Sequence, residues 1–170
     1  MILLHPTLHP NFVQFLKEFN RTFDYFECHE LLEEYWKEVA PGNKEHPAAV
    51  LVLLSTSMYH WRRGNLAGAF KTMRTFVSRF EHLSNSPFNQ FIDVEQLRED
   101  ARQSLSSIEN KESFRRFLIL VKDPELQDLI EQGDQSNVDI EFLTHKHMLR
   151  DRSEILSERE KQKNIRNKRS

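Results

Sequence analysis

Through the first ninety positions, apolar residues recur every three or four places, the spacing of helices that bury one face. Phe12, Phe15, Leu16 and Phe19 predict a first helix from Asn11 to about Arg21. Asp24, with Glu27 three residues on, opens a second that runs to Val39 and stops at Pro41-Gly42. Pro47 sets the start of a third, and Gly64 supplies the glycine that ends it. From Ala48 to Trp61 this helix holds no Lys, Arg, Asp or Glu, so protein is expected on all its sides. Leu66, Ala69, Phe70, Met73, Phe76, Val77 and Phe80 mark a fourth helix, to about Leu83. The short turn Gly64-Asn65 folds it back on the third as an antiparallel hairpin.

Beyond Ser84-Asn85-Ser86-Pro87 the pattern weakens. Asp93 with Gln96 opens a more polar helix to about Ile108. The apolar run from Phe117 to Val121 fits a strand-like segment or a helical turn, and periodicity does not choose between them. Pro124 starts a short helix ending near Gly133, and from Asp139 one long helix emerges into solvent and turns basic toward Ser170. The expected fold is therefore all-α: residues 1–86 form a compact helical bundle, and residues 87–170 a long helical C-terminal extension with a frayed basic end. Few Gly and Pro support this against a β architecture, and thirteen Phe against three Tyr place much aromatic volume in the packing.

Charge and cysteine narrow the function classes. A net charge of −2 argues against a nucleic-acid footprint over the whole molecule. The basic end is interleaved with Glu154, Glu158 and Glu160, so a solvated helix ranks ahead of an RNA or protein grip. A single cysteine, Cys28, excludes an intramolecular disulfide and reads as a small core hydrophobe. No apolar run is long enough for a bilayer and the first residues do not resemble a leader, so a soluble cytoplasmic protein with no membrane partner is expected. A homo-oligomer stays open.

Candidate chemistry gathers in YFECHELLEEYW, residues 25–36. On a helical wheel Tyr25, His29, Leu32 and Trp36 share a stripe, Glu33 borders it, Glu30 turns outward, and Glu27 and Glu34 face away. His60 continues the stripe Ala49, Leu53, Thr56 on the third helix. Antiparallel packing of helices two and three would bring His29 and Glu33 within reach of His60. Two imidazoles and a carboxylate are ligand types for a divalent transition metal, with His29, Glu33 and His60 as candidates. A His–Glu pair is also an acid–base unit, with Glu33 and Glu30 as candidate catalytic carboxylates. Neither metal template is matched: His-Glu-x-x-Glu lacks the second His, and Glu27 precedes His29 by two rather than three. A rim histidine bonded to Glu33, with no cofactor, ranks first. Arg62 and Arg63 beside Asn65 read as a charged helix end ahead of an anion site, and His145 and His147, two apart, as surface.

These residues carry a resemblance. Asp24-Tyr25-Phe26-Glu27, His29-Glu30, Leu32-Glu33 and Trp36, followed by His60, Arg63-Gly64-Asn65 and Gly68-Ala69, resemble the small prokaryotic family called domain of unknown function 309, over roughly Phe19 to Phe80. The resemblance implies a compact all-helical bundle and no reaction. It marks His29, Glu30, Glu33, Trp36, His60, Arg63 and Asn65 as the polar and aromatic signature of a pocket. The first expectation is a binding or structural module built on a His/Glu cluster. A metal-assisted hydrolase or acid–base enzyme using His29, Glu33 and His60 comes second, and an adaptor acting through the C-terminal helix third.

Overall fold

The computed structural model describes residues 5–132, and these residues are helical with no sheet. A 3-10 turn at Pro6–Leu8 leads into α1, Pro10–Lys17. The expected continuation to Arg21 is instead a π-helical turn, Glu18–Thr22, after which Phe23 reverses the chain at a left-handed φ of 59°. The cause is local: the Thr22 hydroxyl bonds the Glu18 carbonyl and carboxylate, and the Asp24 N–H reaches back to the Glu18 carbonyl at 3.2 Å.

The remaining helices are α2, Tyr25–Val39; α3, Pro47–Arg62; α4, Leu66–Ser78; α5, Glu81–Ser84; α6, Phe88–Phe91; α7, Val94–Glu109; and α8, Pro124–Glu131. Their starts follow the expected capping chemistry. The Asp24 carboxylate accepts from Glu27 N–H, Asp93 from Gln96 and Asp123 from Leu126, all near 3 Å. The fourth helix does not run on to Leu83 but breaks at Arg79. The break turns Phe80 and Leu83 inward, beneath an Arg98 guanidinium that sits 4.9 Å from the Phe80 ring and donates to Ser84 Oγ.

α3 lies between α2 and α4 and supplies the densest part of the core, with Val50, Leu51, Leu54, Met58 and Trp61 buried. One expectation fails here: Ala49, Val52, Leu53, Thr56 and His60 form a stripe that is only half-buried, so α3 is not covered on every side. Close approach of α4 is set by Ala69, whose carbonyl accepts a 2.7 Å bond from the buried Ser57 hydroxyl. The core is continuous beyond the first four helices. Ile92, Leu97, Ile108, Ile119, Leu126 and Ile130 join the same cluster as Phe12 and Leu51.

The run from Phe117 to Val121 is extended, not a helical turn, and makes one antiparallel bridge between Ile92 and Val121. Ile119 points inward while Leu118 and Leu120 are exposed, a period of two. The Asn20 amide decides this conformation. It donates to the Ile119 carbonyl and accepts the Ile119 N–H, both at 2.9 Å, as a neighbouring strand would. The expected long helix from Asp139, with His145, His147 and the basic end, lies outside the described residues. No described helix is long and apolar enough to cross a membrane.

Candidate functional site

Tyr25, Phe26 and His29 occupy the first turns of α2, and Thr56, Tyr59, His60 and Arg63 the last turns of α3. Together they line a cleft of about 150 Å³. The sequence placed His29 beside the end of α3, and the structure puts His29 and His60 in one cleft.

The two carboxylates are placed differently. Glu30 and Glu33 line a hollow on the outer side of α2 with Glu27, Glu34 and Lys37. His29 lines the cleft and not the hollow, yet its ring nitrogens lie near both carboxylates. Its Nε2 lies 3.5 Å from Glu33 Oε2, and its Nδ1 3.6 Å from Glu30 Oε1, a distance too long for a hydrogen bond. His29 Nδ1 is shielded from solvent and has no hydrogen-bond partner among the described residues. Glu33 is also held from its other side, by the Lys37 ammonium at 3.0 Å.

His29, Glu30 and Glu33 each offer a ligand atom within 4.8 Å of the others. His60, the third ligand candidate from the sequence, is not in that group and lines the cleft with His29. These side chains are between 31% and 44% exposed, and Lys37 already neutralises Glu33. Both features weaken the pull on a cation.

Tyr25 is the most unusual member of the cleft. It is 0% exposed, it lines the cavity, and its hydroxyl has no hydrogen-bond partner among the described residues. Burial pushes its phenol well above the ordinary range, against a smaller opposing pull from Arg62, whose guanidinium carbon lies 4.7 Å from the ring centre. Arg62 also donates to the Phe23 carbonyl at 2.6 Å, which fastens the end of α3 to the left-handed turn before α2. Arg63 lies over the Tyr59 ring at 5.5 Å.

Behind the cleft, Gly64-Asn65 is a clamp. Gly64, at φ 85°, ends α3, and the Asn65 N–H bonds back to the His60 carbonyl at 2.8 Å. Asn65 Oδ1 caps α4 by accepting the Gly68 N–H at 3.1 Å, which turns its NH₂ toward His60 Nδ1 at 3.3 Å. An amide NH₂ only donates, so His60 Nδ1 is the acceptor and its Nε2 carries the proton. Gly68 leaves the room: a Cβ there would sit 2.7 Å from Asn65 Nδ2 and 3.1 Å from the His60 ring.

Trp36, though on the sequence stripe, is outside the cleft and donates from its indole to the Asn43 carbonyl at 2.7 Å, tying down the α2–α3 loop. Cys28 is buried, and burial raises its thiol well above the ordinary value, so it packs and does not react. Sequence reasoning missed Tyr25, Phe26, Thr56 and Tyr59 as cleft residues. Tyr25 stood on the His29 stripe one turn earlier, and that spacing was the signal.

The described residues define an all-α helical bundle, and the sequence has known relatives. The family described as domain of unknown function (DUF309) matches residues 12–72, and the chain belongs to it. It is similar to the uncharacterized protein YpuF of Bacillus subtilis (strain 168), 32% identical over 160 residues, which covers 89% of this chain and 92% of that protein. No solved structure matches the chain.

Proposed function

We propose that this protein is a binding module whose α2–α3 cleft takes a small ligand, with a flat apolar body against Phe26 and Tyr59 and a polar edge toward Tyr25. The observation that carries this reading is Tyr25, a fully buried residue bordering the cavity whose shielded hydroxyl has no hydrogen-bond partner among the described residues. An unpaired buried hydroxyl costs about 1–3 kcal/mol, which a ligand atom bonded to it would recover. The cavity is small beside the ~300–1,000 Å³ of drug-sized sites, so the ligand is fragment-sized.

Spectra of ¹⁵N-labelled protein, titrated with a panel of small aromatic carboxylates, amides and phenols at millimolar concentration, test this. Binders should shift the amides of Tyr25, Thr56, Tyr59 and His60. Tyr25→Phe should abolish those shifts while leaving the ligand-free protein as stable as wild type, or up to about 1 kcal/mol more so. A loss of more than about 1.5 kcal/mol in that variant without ligand would show that the hydroxyl has a structural partner, and would end the reading.

A second reading rests on His29 and Glu33. Glu33 lies 3.5 Å from Nε2, and Nδ1 has no hydrogen-bond partner among the described residues, an arrangement that suits a general base beside a carboxylate. Turnover of a panel of carboxylic and phosphoric esters that is lost in both His29→Gln and Glu33→Gln would support it. Turnover unchanged in either variant would sink it.

A further inference from the structure

The sequence holds three His-Pro steps, His5-Pro6, His9-Pro10 and His46-Pro47, and each one starts a helix. All three histidines have nearly the same backbone, with φ of −59°, −57° and −62° and ψ of 139°, 133° and 139°. The following proline imposes that extended conformation and fixes the φ of the first helical residue. In each case Nδ1 accepts the N–H two residues on: Thr7 at 3.3 Å, Asn11 at 3.1 Å and Ala48 at 3.1 Å. The imidazole stands where a capping Asn or Asp oxygen normally would.

A backbone N–H only donates, so all three Nδ1 atoms must carry a lone pair. The partners of the opposite nitrogens agree. His5 Nε2 is 3.2 Å from the Gln90 carbonyl oxygen, and His9 Nε2 is 3.4 Å from the Glu38 carboxylate, both acceptors.

The three caps each pack on aromatic rings, at the end of the α2–α3 pair remote from the cleft. The His5 ring stacks on Phe91 at 3.7 Å, and His9 lies 4.3 Å from Tyr35. His46 meets Tyr35 at 6.0 Å and Phe88 at 6.3 Å, edge to face. The Tyr35 hydroxyl donates to the Pro6 carbonyl at 3.3 Å.

We propose that the three His-Pro caps are one acid-sensitive latch, which holds residues 5–9 and the start of α3 over Tyr35, Phe88 and Phe91 while the imidazoles are neutral. Protonating Nδ1 removes the acceptor that each N–H uses and adds positive charge at the positive end of a helix; at His5 the Thr7 hydroxyl, 2.8 Å from Nδ1, can accept the added proton. Among the described residues Glu38 faces His9 at 3.4 Å, and Thr7, Gln90 and Phe91 face His5. His46 faces Phe88 and Tyr35, whose phenol burial holds above its ordinary value and therefore neutral.

The sign follows from His46. Burial lowers its imidazole below the ordinary 6.5, so the unfolded chain takes up the proton first. Its contribution is complete above about pH 6.5 and is lost as the pH falls below that toward the folded-state value.

Amide hydrogen exchange on the full chain at pH 7.5 and pH 5.0, corrected for intrinsic rates, reads the latch. Protection at Ala48 should fall about tenfold or more at the lower pH, with a measurable fall at Thr7 and Asn11, while Leu54 in mid-α3 holds. The variant combining His5→Asn, His9→Asn and His46→Asn keeps a capping oxygen that does not titrate, and its protection should not change with pH. Unchanged protection in wild type, or the same fall in the Asn variant, overturns the proposal. Should that variant not fold, imidazole ¹⁵N shifts of wild type decide: bare Nδ1 at pH 7.5 in all three histidines supports the latch, and an Nδ1–H tautomer in any of them refutes it.

Discussion

Gly68→Ala isolates the clamp behind the cleft, because two effects of similar size oppose each other there. Alanine in a helix is worth about 1 kcal/mol over glycine, so in an unconstrained helix the change stabilises. At position 68 the new Cβ falls 2.7 Å from Asn65 Nδ2 and 3.1 Å from Asn65 Cγ. The Asn65 side chain is short and already spent on capping α4, so it cannot move aside without giving up the bond to the Gly68 N–H. Loss of an Asn cap costs about 0.5–2 kcal/mol. The two nearly cancel, and Gly68→Ala should leave the protein between unchanged and about 1 kcal/mol less stable. In an Asn65→Ala background the obstruction and the cap are both already gone. There Gly68→Ala should stabilise by up to about 1 kcal/mol, reduced by whatever the His60 ring, 3.1 Å from the new methyl, exacts. Urea unfolding of the four proteins gives a double-mutant cycle with a coupling of about 1 kcal/mol. Equal stabilisation by Gly68→Ala in both backgrounds would show that the Asn65 amide does not occupy that space.

The other predictions address the site and the frame around it. His29→Ala should cost no more than about 1 kcal/mol by thermal unfolding, since Glu33 keeps Lys37 at 3.0 Å and is a third exposed; a larger loss would show that the ring bears a structural load. Asn20→Ala strips both bonds from the buried Ile119 peptide and should cost about 2–4 kcal/mol in urea unfolding. Asn20→Asp faces the Ile119 carbonyl with an oxygen that donates only when protonated, so its carboxyl should titrate above the ordinary ~3.9. This variant should therefore be most stable relative to wild type below about pH 4 and lose that stability as pH rises, and an opposite slope would refute the pairing.

How far the sequence could be read depended on the range of the interaction. Stripes at spacings of three and four located the helices, and a two-residue turn at Gly64-Asn65 located the α3–α4 hairpin, because both depend on neighbours in the chain. The meeting of His29 with His60 was legible for the same reason: consecutive helices joined by a short loop. The wheel placed Glu33 beside His29, and the two lie 3.5 Å apart, with Glu33 also lining the acidic hollow where Lys37 holds it. The extended conformation of Phe117–Val121 was not legible, since its partner, the Asn20 amide, lies 99 positions away in the chain. The three His-Pro steps stand in the sequence, but nothing in their spacing marks them as caps. Histidine is not a usual cap residue, and only the coordinates show each Nδ1 on an N–H.

The two motif stretches therefore do different work. In Arg63-Gly64-Asn65 with Gly68-Ala69, each residue has a geometric task. Gly64 takes a left-handed turn, Asn65 caps α4 and reaches His60 Nδ1, Gly68 makes room for that amide, and Ala69 lets α4 close on Ser57. A cap alone would be met by Ser, Thr or Asp, none of which presents an NH₂ to an imidazole nitrogen while an oxygen holds the cap. What Asn adds is a fixed tautomer and orientation for His60. Fixing a half-buried ring in this way adds little to stability, because water could satisfy the same nitrogen. Its value lies in what the ring presents to the cleft, where Tyr25 and His29 hold the polar atoms that have no partner among the described residues. Asn65→Ser discriminates between the two roles. It keeps a capping oxygen and so should hold stability within about 0.5 kcal/mol, while the His60 tautomer, read from its ¹⁵N shifts, becomes mixed and any ligand shifts at His60 weaken. If stability falls by more than about 1 kcal/mol with the tautomer intact, Asn65 serves the helix and not the cleft.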